Sequence, residues 1–352
     1  MRKKAAIIGG GFAANLHVAA LKSCGIEPAV VVTTRAQTAQ SFAAQWNIPV
    51  WGTDPALALG PEIDAVHICT PPATHGQFVR LALMAHKDVF CEKPLCLSPA
   101  EARELIALAE QTDNRFAVSF NVRYHMAVQR ARELIRGGAF GRPLLIHGSY
   151  QQEFDVLPAP YDWRYRPALA GDMRAVTEIG SHWIDTAQYV TGKRVLAVSA
   201  SFMNFFPDRT VADGTMDLAS RRPGTPLHVD SEDAACLTLR YEDGAIGTVL
   251  LSEISHGRGN RLALEIVCEN GSLWWNEEEN NVLHTAVRGE GVKSELFAFG
   301  NGFSDTFITL VQNFYDGKAC PTVREAAQVA DVCAAAAWSA AHDSAWKEVT
   351  AP

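Results

Sequence analysis

The chain has 352 residues, of which 48% are hydrophobic and 20% charged, and its formal net charge is −8. This length favours two domains over one, and the composition is that of an ordinary globular protein with an ample core. The acidic balance argues against nucleic acid or an anionic membrane as the main partner.

Eight cysteines are spread along the chain, and none belongs to a C-x-x-C pair. We interpret them as small core residues in a reducing compartment, not as disulfides or zinc ligands. Residues 1–8 resemble the start of a signal peptide, but the glycines at 9–11 end the apolar run too early. No apolar stretch reaches the ~18 residues needed to span a membrane. The expected location is the cytoplasm.

The first element is a short apolar strand, residues 5–8, followed at once by Gly9 and Gly11 in a G-x-G-x-x-A pattern and then by a helix. Glycine lets the backbone approach a pyrophosphate, and the amino end of a helix favours its negative charge. The pattern therefore predicts a dinucleotide site.

A second strand, residues 29–32, ends at Thr34 and Arg35, about 20 residues beyond the glycines. A carboxylate at this point would bind the ribose 2′-hydroxyl of NAD, and this chain has none. Hydroxyls and an arginine suit a 2′-phosphate, so we favour NADP(H) over NAD(H). The alternative is that Arg35 is a solvated loop charge.

Strands and helices alternate up to residue 120. After the first two strands we expect a helix over 36–46, a strand over 65–69, a proline turn over 70–75 that leads into a helix, a strand over 89–91, a capped helix over 98–110 and a strand over 116–120. This alternation predicts a Rossmann-type doubly wound parallel sheet.

Lys93 follows the strand over 89–91 directly, in the sequence Cys-Glu-Lys-Pro-Leu. The carboxyl edge of a parallel sheet is where open α/β folds bind their ligands. Burial beside a positive nicotinamide ring would favour a neutral lysine, which can accept a hydroxyl proton. The alternative is a surface lysine before a turn proline.

Beyond Arg123 the pattern changes to a helix over 125–136 and then mainly extended stretches, at 144–153, 195–205, 234–241, 245–253, 262–268 and 272–275. A hairpin turn is predicted at 241–244. Strands in series indicate an α+β domain with a large, mostly antiparallel, open-faced sheet. We therefore divide the chain into residues 1–122, which bind NAD(P), and 123–352, for substrate binding and oligomerisation.

Three further segments complete the second domain. A proline-rich aromatic loop covers 158–166 and is followed by a helix, and the polar segment 207–226 is expected to be a mobile loop. The helix over 322–341 is alanine-rich and apolar on more than one face, so it is a candidate to pack back on the first domain.

Glu178, His182 and Asp185 have the i, i+4, i+7 spacing that places three side chains on one face of a helix. Such a polar face on an otherwise apolar helix is typical of a helix that lines a cleft, and a histidine beside a carboxylate can accept or relay a proton. The alternative is a hydrogen-bonded core histidine. A metal site is disfavoured, because no further cysteine or histidine comes at ligand spacing.

Taken together and in this order, these motifs make the chain resemble the glucose–fructose oxidoreductase / inositol dehydrogenase / MocA (Gfo/Idh/MocA) family over nearly its whole length. The most specific marks are Glu92-Lys93-Pro94, the turn at 70–75 and the segment 178–182. The resemblance implies that Lys93 and His182 are the proton-handling pair. It also implies a catalytic role for Glu178, which stands where most members have aspartate.

The resemblance further implies contacts with the two ligands. For the dinucleotide they are Gly9, Gly11, Phe12, Ala13, Thr34, Arg35, Thr70, Pro71, His75, Glu92, Lys93, Asn121, Trp163 and Arg164. The predicted substrate contacts are Lys93, Arg123, Tyr124, Trp163, Arg174, Glu178, His182 and Asp185. Arg174 lies where many members have a glycine-rich stretch, so we interpret it either as a contact to an anionic or polyhydroxylated substrate or as a salt-bridged structural arginine.

The function implied by the resemblance is NAD(P)-dependent hydride transfer at a hydroxyl or carbonyl carbon of a sugar, sugar derivative or polyol. Two alternatives stay open: a glycosidase that uses NAD for transient oxidation, and a nicotinamide-binding sensor without turnover. The open sheet face would join subunits into a homodimer or homotetramer, as the resemblance implies and as an apolar exposed face favours.

Overall fold

The structure is a computed structural model that describes residues 2–300 and 302–350. They form two compact units, one of residues 2–124 and 302–327 and the other of residues 125–300 and 328–350. The first unit therefore extends two residues beyond the expected boundary at 122. It also contains the segment 302–327, which the sequence analysis assigned to the second domain.

Strands and helices alternate in the first part of the chain, as the sequence predicts. They are β1 (Lys4–Ile8), α1 (Phe12–Ser23), β2 (Glu27–Val32), α2 (Ala36–Trp46), β3 (Val50–Gly52), β4 (Ala65–Ile68), α3 (His75–Met84), β5 (Asp88–Cys91), α4 (Pro99–Ala109) and β6 (Phe116–Val118). The six strands form one parallel sheet in the order β3-β2-β1-β4-β5-β6. The predicted doubly wound sheet is confirmed.

The next part of the chain is dominated by strands. Its elements are α5 (Met126–Arg136), β7 (Pro143–Gln151), β8 (Ala159–Pro160), α6 (Pro167–Ala170), α7 (Ser181–Thr191), β9 (Val195–Met203), β10 (Asp208–Ala212), β11 (Thr215–Leu218), β12 (Thr225–His228), β13 (Ala234–Tyr241), β14 (Ile246–Ser252), β15 (Arg261–Cys268), β16 (Gly271–Asn276), β17 (Val282–Val287) and β18 (Gly291–Leu296). The chain ends with α8 (Phe303–Tyr315), α9 (Val323–Ala340) and β19 (Lys347–Glu348).

Nine strands of the second unit form a large sheet in the order β18-β17-β16-β15-β7-β14-β13-β9-β19. Neighbouring strands are antiparallel except β7 and β14, which run parallel. Buried residues alternate with exposed ones along β14 and with partly exposed ones along β15, as expected when one face of a sheet packs on the core. The mostly antiparallel sheet is thus confirmed.

The polar segment 207–226 is not the loop that the sequence analysis expected. It contributes β10, β11 and the start of β12 to a small antiparallel sheet with β8, in the order β12-β10-β11-β8. Asp213 and Gly214 join β10 to β11 with φ values of 53° and 73°. Two successive residues with positive φ are what a tight hairpin turn needs, and an Asp-Gly pair supplies them.

Helix α8 belongs to the first unit because its apolar side chains complete the core there. Phe307, Leu310 and Phe314 are buried in one cluster with Val18 and Leu21 of α1. Within residues 2–300 and 302–350, none of the helices is both long and apolar enough to cross a bilayer.

Candidate active site

The glycine turn between β1 and α1 has the shape that a dinucleotide requires. Gly9 has a φ of +124°, and a Cβ there would lie 2.5 Å from the carbonyl oxygen of Cys69. A Cβ on Gly11 would have no heavy atom of the described chain within 4 Å, so the outer side of the turn is open. Helix α1 begins at Phe12, and no side chain among the described residues caps it. Its first N–H groups therefore fit an anionic pyrophosphate.

The end of β2 packs against this turn. Thr33 is buried and its hydroxyl donates a hydrogen bond to the carbonyl oxygen of Arg35, at 2.8 Å. A Cβ on Gly10 would lie 3.0 Å from Cγ2 of Thr33. Thr34 and Arg35 are both exposed. They are thus positioned beside the glycine turn with side chains that can reach a ligand.

His75 ties together the loops that follow β4 and β5. Its Nε2 atom lies 2.7 Å from the carbonyl oxygen of Thr70, and its Nδ1 atom lies 2.8 Å from that of Pro94. The ring is fully buried, and burial lowers the pKa of His75, although the two carbonyl groups oppose this shift. His75 therefore fixes the two loops that carry Thr70 and Lys93.

Lys93 lies just beyond β5, at the carboxyl edge of the parallel sheet, and is partly exposed. Its backbone N–H donates to Oε2 of Glu92 at 3.2 Å, and Oε1 of Glu92 lies 3.0 Å from Nε2 of His17. Burial opposes ionisation of Glu92, but the hydrogen bond and charge of His17, with the charge of Lys93, lower its pKa below the ordinary value. An ionised carboxylate thus adjoins the lysine.

Three predicted contact residues after β6 are anchored by residues 302–327. The amide of Asn121 donates to the hydroxyl of Thr306 at 2.9 Å. Arg123 is buried and its Nη1 atom lies 2.9 Å from Oε1 of Glu325. The hydroxyl of Tyr124 donates to a backbone carbonyl at residue 319, at 3.2 Å. These contacts within the first unit hold the side chains in place.

In the second unit, Glu178 lies in a π-helical turn, Val176–Gly180, that leads directly into α7. Because a π turn holds more residues than an α turn, the simple i, i+4, i+7 spacing does not apply across it. His182 and Glu178 are partly exposed, whereas Asp185 is buried at 1%. Asp185 is therefore more buried than the other two predicted residues, Glu178 and His182.

Arg164, from the aromatic loop, lies next to Glu178 and stacks on Trp163. The Nε atom of Arg164 is 3.4 Å from Oε2 of Glu178, and its Nη1 atom is 2.7 Å from Oδ2 of Asp162. The guanidinium also lies over the Trp163 ring, 4.7 Å from its centroid. The ring of His182 is 6.4 Å from that of Tyr150. This cluster is made of side chains that hydrogen-bond or stack, as a polyhydroxylated ligand requires.

Arg174 occupies a buried ion network. Its side chain is 2% exposed and pairs with Asp155 and, at 3.3 Å, with Oε2 of Glu253. Its backbone N–H donates to the Glu232 carboxylate. The structure thus shows the salt-bridged arrangement, the second of the two interpretations of Arg174, and these contacts hold its guanidinium away from solvent.

The carboxylates of this network were not found by sequence reasoning. Arg209 also pairs with Asp155, at 2.5 Å, and the hydroxyl of Tyr165 donates to the same carboxylate at 3.1 Å. Burial raises the pKa of Glu253 to about 8 and that of Glu232 to about 7. The available signal was a lone carboxylate just after an apolar strand, as at Glu253. The network fixes the aromatic loop through Tyr165.

Comparisons with known proteins agree with this geometry. Residues 3–120 match the family model of the GFO_IDH_MocA oxidoreductase family with an NAD-binding Rossmann fold, and residues 128–274 match the GFO/IDH/MocA C-terminal domain. Levoglucosan dehydrogenase of Pseudarthrobacter phenanthrenivorans is 28% identical over 97% of both chains. D-apiose dehydrogenase of Paraburkholderia graminis is 30% identical over 74% of this chain and 72% of the relative.

Among solved structures, levoglucosan dehydrogenase in complex with NADH and L-sorbose superposes with a TM-score of 0.91 at 27% identity, and 99% of each chain is covered. Both halves of the chain thus match the same family, and the similarity extends over nearly the whole length. The chain belongs to the Gfo/Idh/MocA family of oxidoreductases.

Proposed function

We propose that this oxidoreductase acts on a sugar or polyol with Lys93 and His182 as its proton-handling groups. The chain is an NAD(P)-dependent enzyme of the sugar and polyol dehydrogenase type. The observation that carries the assignment of Lys93 is its position at the carboxyl edge of the parallel sheet, beside an ionised Glu92 and in the unit that holds the glycine turn.

Oxidation requires that a hydroxyl lose its proton while its carbon loses a hydride. A bound nicotinamide would supply the acceptor for that hydride and its two electrons. Lys93 or His182 accepts the hydroxyl proton, and the same group returns it to the oxygen in the reverse reaction. The remaining work of the protein is orientation of the hydroxyl toward these groups.

Glu178 and the side chains around it suit the sugar. The carboxylate accepts hydrogen bonds from hydroxyl groups, and the flat Trp163 ring offers an apolar surface to a sugar face. Arg164 contacts both residues, so it sets the position of the carboxylate. Substrate contacts of His182, Arg123 and Tyr124 are part of the same proposal.

The favoured dinucleotide is NADP(H). Thr34 and Arg35 are exposed beside the glycine turn, and the end of β2 carries no carboxylate for a ribose 2′-hydroxyl. An arginine at this point supplies the charge that a 2′-phosphate needs.

The open face of the nine-stranded sheet is proposed to join a second copy of the chain. It exposes Leu145, Ile246 and Leu250 on adjacent strands, and such a patch favours burial against another subunit. The proposed compartment is the cytoplasm, in which eight cysteines without disulfides stay reduced.

The test is titration of the purified protein with NAD, NADP and their reduced forms by fluorescence, followed by a panel of sugars and inositols with absorbance of reduced nicotinamide as the readout. Tighter NADP(H) binding with sugar-dependent reduction supports the proposal. Hydrolysis of an aryl glycoside with tightly held NAD and no net reduction would replace it with a glycosidase. Binding without turnover on the whole panel would replace it with a sensor.

A further inference from the structure

Asp155 lies at the centre of the buried ion network and contacts three separate segments of the second unit. Its carboxylate accepts from the hydroxyl of Tyr165 at 3.1 Å, pairs with Arg174, and lies 2.5 Å from Nη2 of Arg209. Tyr165 belongs to the aromatic loop, Arg174 precedes the π-helical turn, and Arg209 belongs to β10 of the small sheet. One carboxylate, 2% exposed, therefore joins the loop, the turn and the small sheet.

The position of the Asp155 carboxylate is itself fixed by two arginines. Its Oδ1 atom pairs with Arg174 and its Oδ2 atom with Arg209, and both guanidinium groups are almost completely buried. Arg209 also donates from Nη1 to the backbone carbonyl oxygen of Asp155 and from Nε to that of Phe206. Because a guanidinium group is planar and has its N–H donors in a rigid arrangement, these contacts leave the carboxylate one orientation. The hydroxyl of Tyr165 thus meets a fixed acceptor.

The contact with Tyr165 holds the end of the aromatic loop that carries Trp163 and Arg164. The other end of the loop is held by the small sheet, in which β8 pairs with β11. Between these two anchors, Arg164 stacks on the Trp163 ring and contacts the Glu178 carboxylate. The position of Trp163 and Arg164 therefore depends on both anchors, and Asp155 supplies the one nearer to them in the chain.

The ion pair with Arg174 holds the start of the helical segment in which Glu178 lies. The N–H of Glu178 donates to the carbonyl oxygen of Arg174 at 2.7 Å. The Glu232 carboxylate accepts from the N–H groups of Arg174 and Val176, at 3.0 and 2.8 Å. Backbone and side chain of Arg174 are thus both anchored. The ion pair between Asp155 and Arg174 therefore restrains the turn from which the Glu178 side chain extends.

We propose that Asp155 is a positioning residue for the sugar site, because it fixes the aromatic loop and the π-helical turn at the same time. It acts through Tyr165 on the loop and through Arg174 on Glu178. This role rests on the proposed function, in which the loop and Glu178 contact the sugar. Neither Asp155 nor Tyr165 transfers a proton in that function, so loss of their contact weakens sugar binding equally in the ground state and the transition state. The effect therefore falls on KM for the sugar and not on kcat.

Tyr165→Phe tests the contact with the loop by the smallest change. It removes the hydroxyl that donates to Asp155 and keeps the ring, whose centroid lies 5.3 Å from Cζ of Arg174. We expect KM for the sugar to rise about fivefold to tenfold, while kcat and the KM for the dinucleotide stay within about twofold. Tyr189→Phe is the matched control, because it also loses a hydroxyl hydrogen bond, to Gln129, in the same unit. It should leave all three constants unchanged.

A second readout needs no turnover. Amide hydrogen exchange of the dinucleotide-free protein, followed by mass spectrometry, measures how easily each segment opens. In Tyr165→Phe, exchange should become at least about threefold faster over residues 158–170 and stay unchanged over 174–180. In Asp155→Asn it should become faster over both segments, because this variant weakens both contacts. Tyr165→Phe keeps the ion network intact, so its result decides the proposal if Asp155→Asn does not fold.

An unchanged sugar KM in folded Tyr165→Phe would overturn the positioning role of Asp155. Equal increases of KM in Tyr165→Phe and Tyr189→Phe would overturn it too, since they would assign the effect to a general loss of stability. Unchanged exchange over 174–180 in folded Asp155→Asn would contradict the action on Glu178. If the wild type oxidises no sugar of the panel but the exchange pattern is as expected, the proposed function fails, whereas the restraint of the loop and the turn by Asp155 stands.

Discussion

Arg164 and Glu178 form an ion pair, with 3.4 Å between Nε and Oε2, although fourteen residues separate them in the chain. Arg164 is held in turn by Asp162 and by the Trp163 ring. Glutamate reaches one methylene farther than the aspartate most members of the family have at this position. The partner that the longer side chain contacts belongs to the aromatic loop, so the carboxylate and the loop are positioned together.

Replacing Glu178 by glutamine should therefore affect the sugar far more than the dinucleotide. The loss of the charge weakens both the pairing with Arg164 and any hydroxyl contact, and we expect kcat/KM for the sugar to fall at least about tenfold. Dinucleotide affinity, measured by fluorescence titration, should stay within about twofold. Glu290→Gln, at an exposed acid paired with Lys293, is the matched control. Equal losses in the two variants would contradict a substrate role for Glu178.

Lys93→Ala should reduce turnover far more than it weakens dinucleotide binding. Loss of a group that accepts or donates the reacting proton costs about 10²–10⁴ in kcat. Single-turnover reduction and a fluorescence titration on the same protein separate the two effects. Lys318→Ala, at an exposed lysine paired with Asp316, should leave both unchanged. A kcat of Lys93→Ala close to that of the wild type would mean that Lys93 does not transfer the reacting proton.

Cofactor preference should depend on Thr34 and Arg35. Arg35→Ala should weaken NADP binding about tenfold with little effect on NAD, because only a 2′-phosphate needs the charge. Arg35→Lys keeps that charge and serves as the control. Thr34→Asp should move preference toward NAD, since a carboxylate repels the phosphate and accepts from a ribose hydroxyl. If the dissociation constants for NADP and NAD are unchanged in Arg35→Ala, Arg35 is a solvated loop charge and not a phosphate contact.

Replacing Gly9 or Gly11 by alanine should change the free energy of unfolding by different amounts. Gly9→Ala combines a φ of +124° with a 2.5 Å clash against backbone, so its free energy of unfolding should fall by about 1–3 kcal/mol or more. Gly11→Ala adds a Cβ into open space and should unfold like the wild type. Denaturant unfolding of both proteins measures the difference. A stable Gly9→Ala would mean that the turn can relax away from Cys69.

The buried carboxylates should give stability a characteristic pH dependence. The folded-state pKa of Glu253, about 8, exceeds its ordinary value of 4.5, so the folded state binds more protons than the unfolded state between these values. The stabilisation from Glu253 is therefore present at low pH and lost as pH rises through the folded pKa. Glu253→Gln should gain stability relative to the wild type between about pH 5 and about pH 9 in thermal melts. A pH-independent difference would contradict the raised pKa.

The first half of the fold follows closely from sequence because each element carries its own signal. Helix α2 begins at Ala36 and ends at Trp46, as predicted, and the hydroxyl of Ser98 accepts from the N–H of Glu101 at the start of α4. The sequence also predicts the glycine turn and the loop after β5. Their signals are local, and parallel strands buried on both faces are strongly apolar.

The remaining features depend on contacts between residues far apart in the chain. Nothing local to α8 indicates that it completes a core begun at α1. Likewise, His17 and His67 appear in sequence as isolated histidines in apolar elements, and only the pairing of β1 with β4 brings α1 and β4 together. The π turn at Glu178 was missed because α-helical spacing was assumed from Glu178 to Asp185.

The late position of α8 has a consequence for synthesis of the protein. A ribosome releases α1 and the parallel sheet long before it has translated Phe307, Leu310 and Phe314, which share their core. Until then the nascent first unit exposes that apolar surface, while the strands of the second unit emerge and can fold. A fragment that stops at Tyr124 would keep this surface permanently, so it should need a chaperone or aggregate, whereas a fragment rejoined to residues 302–327 should not.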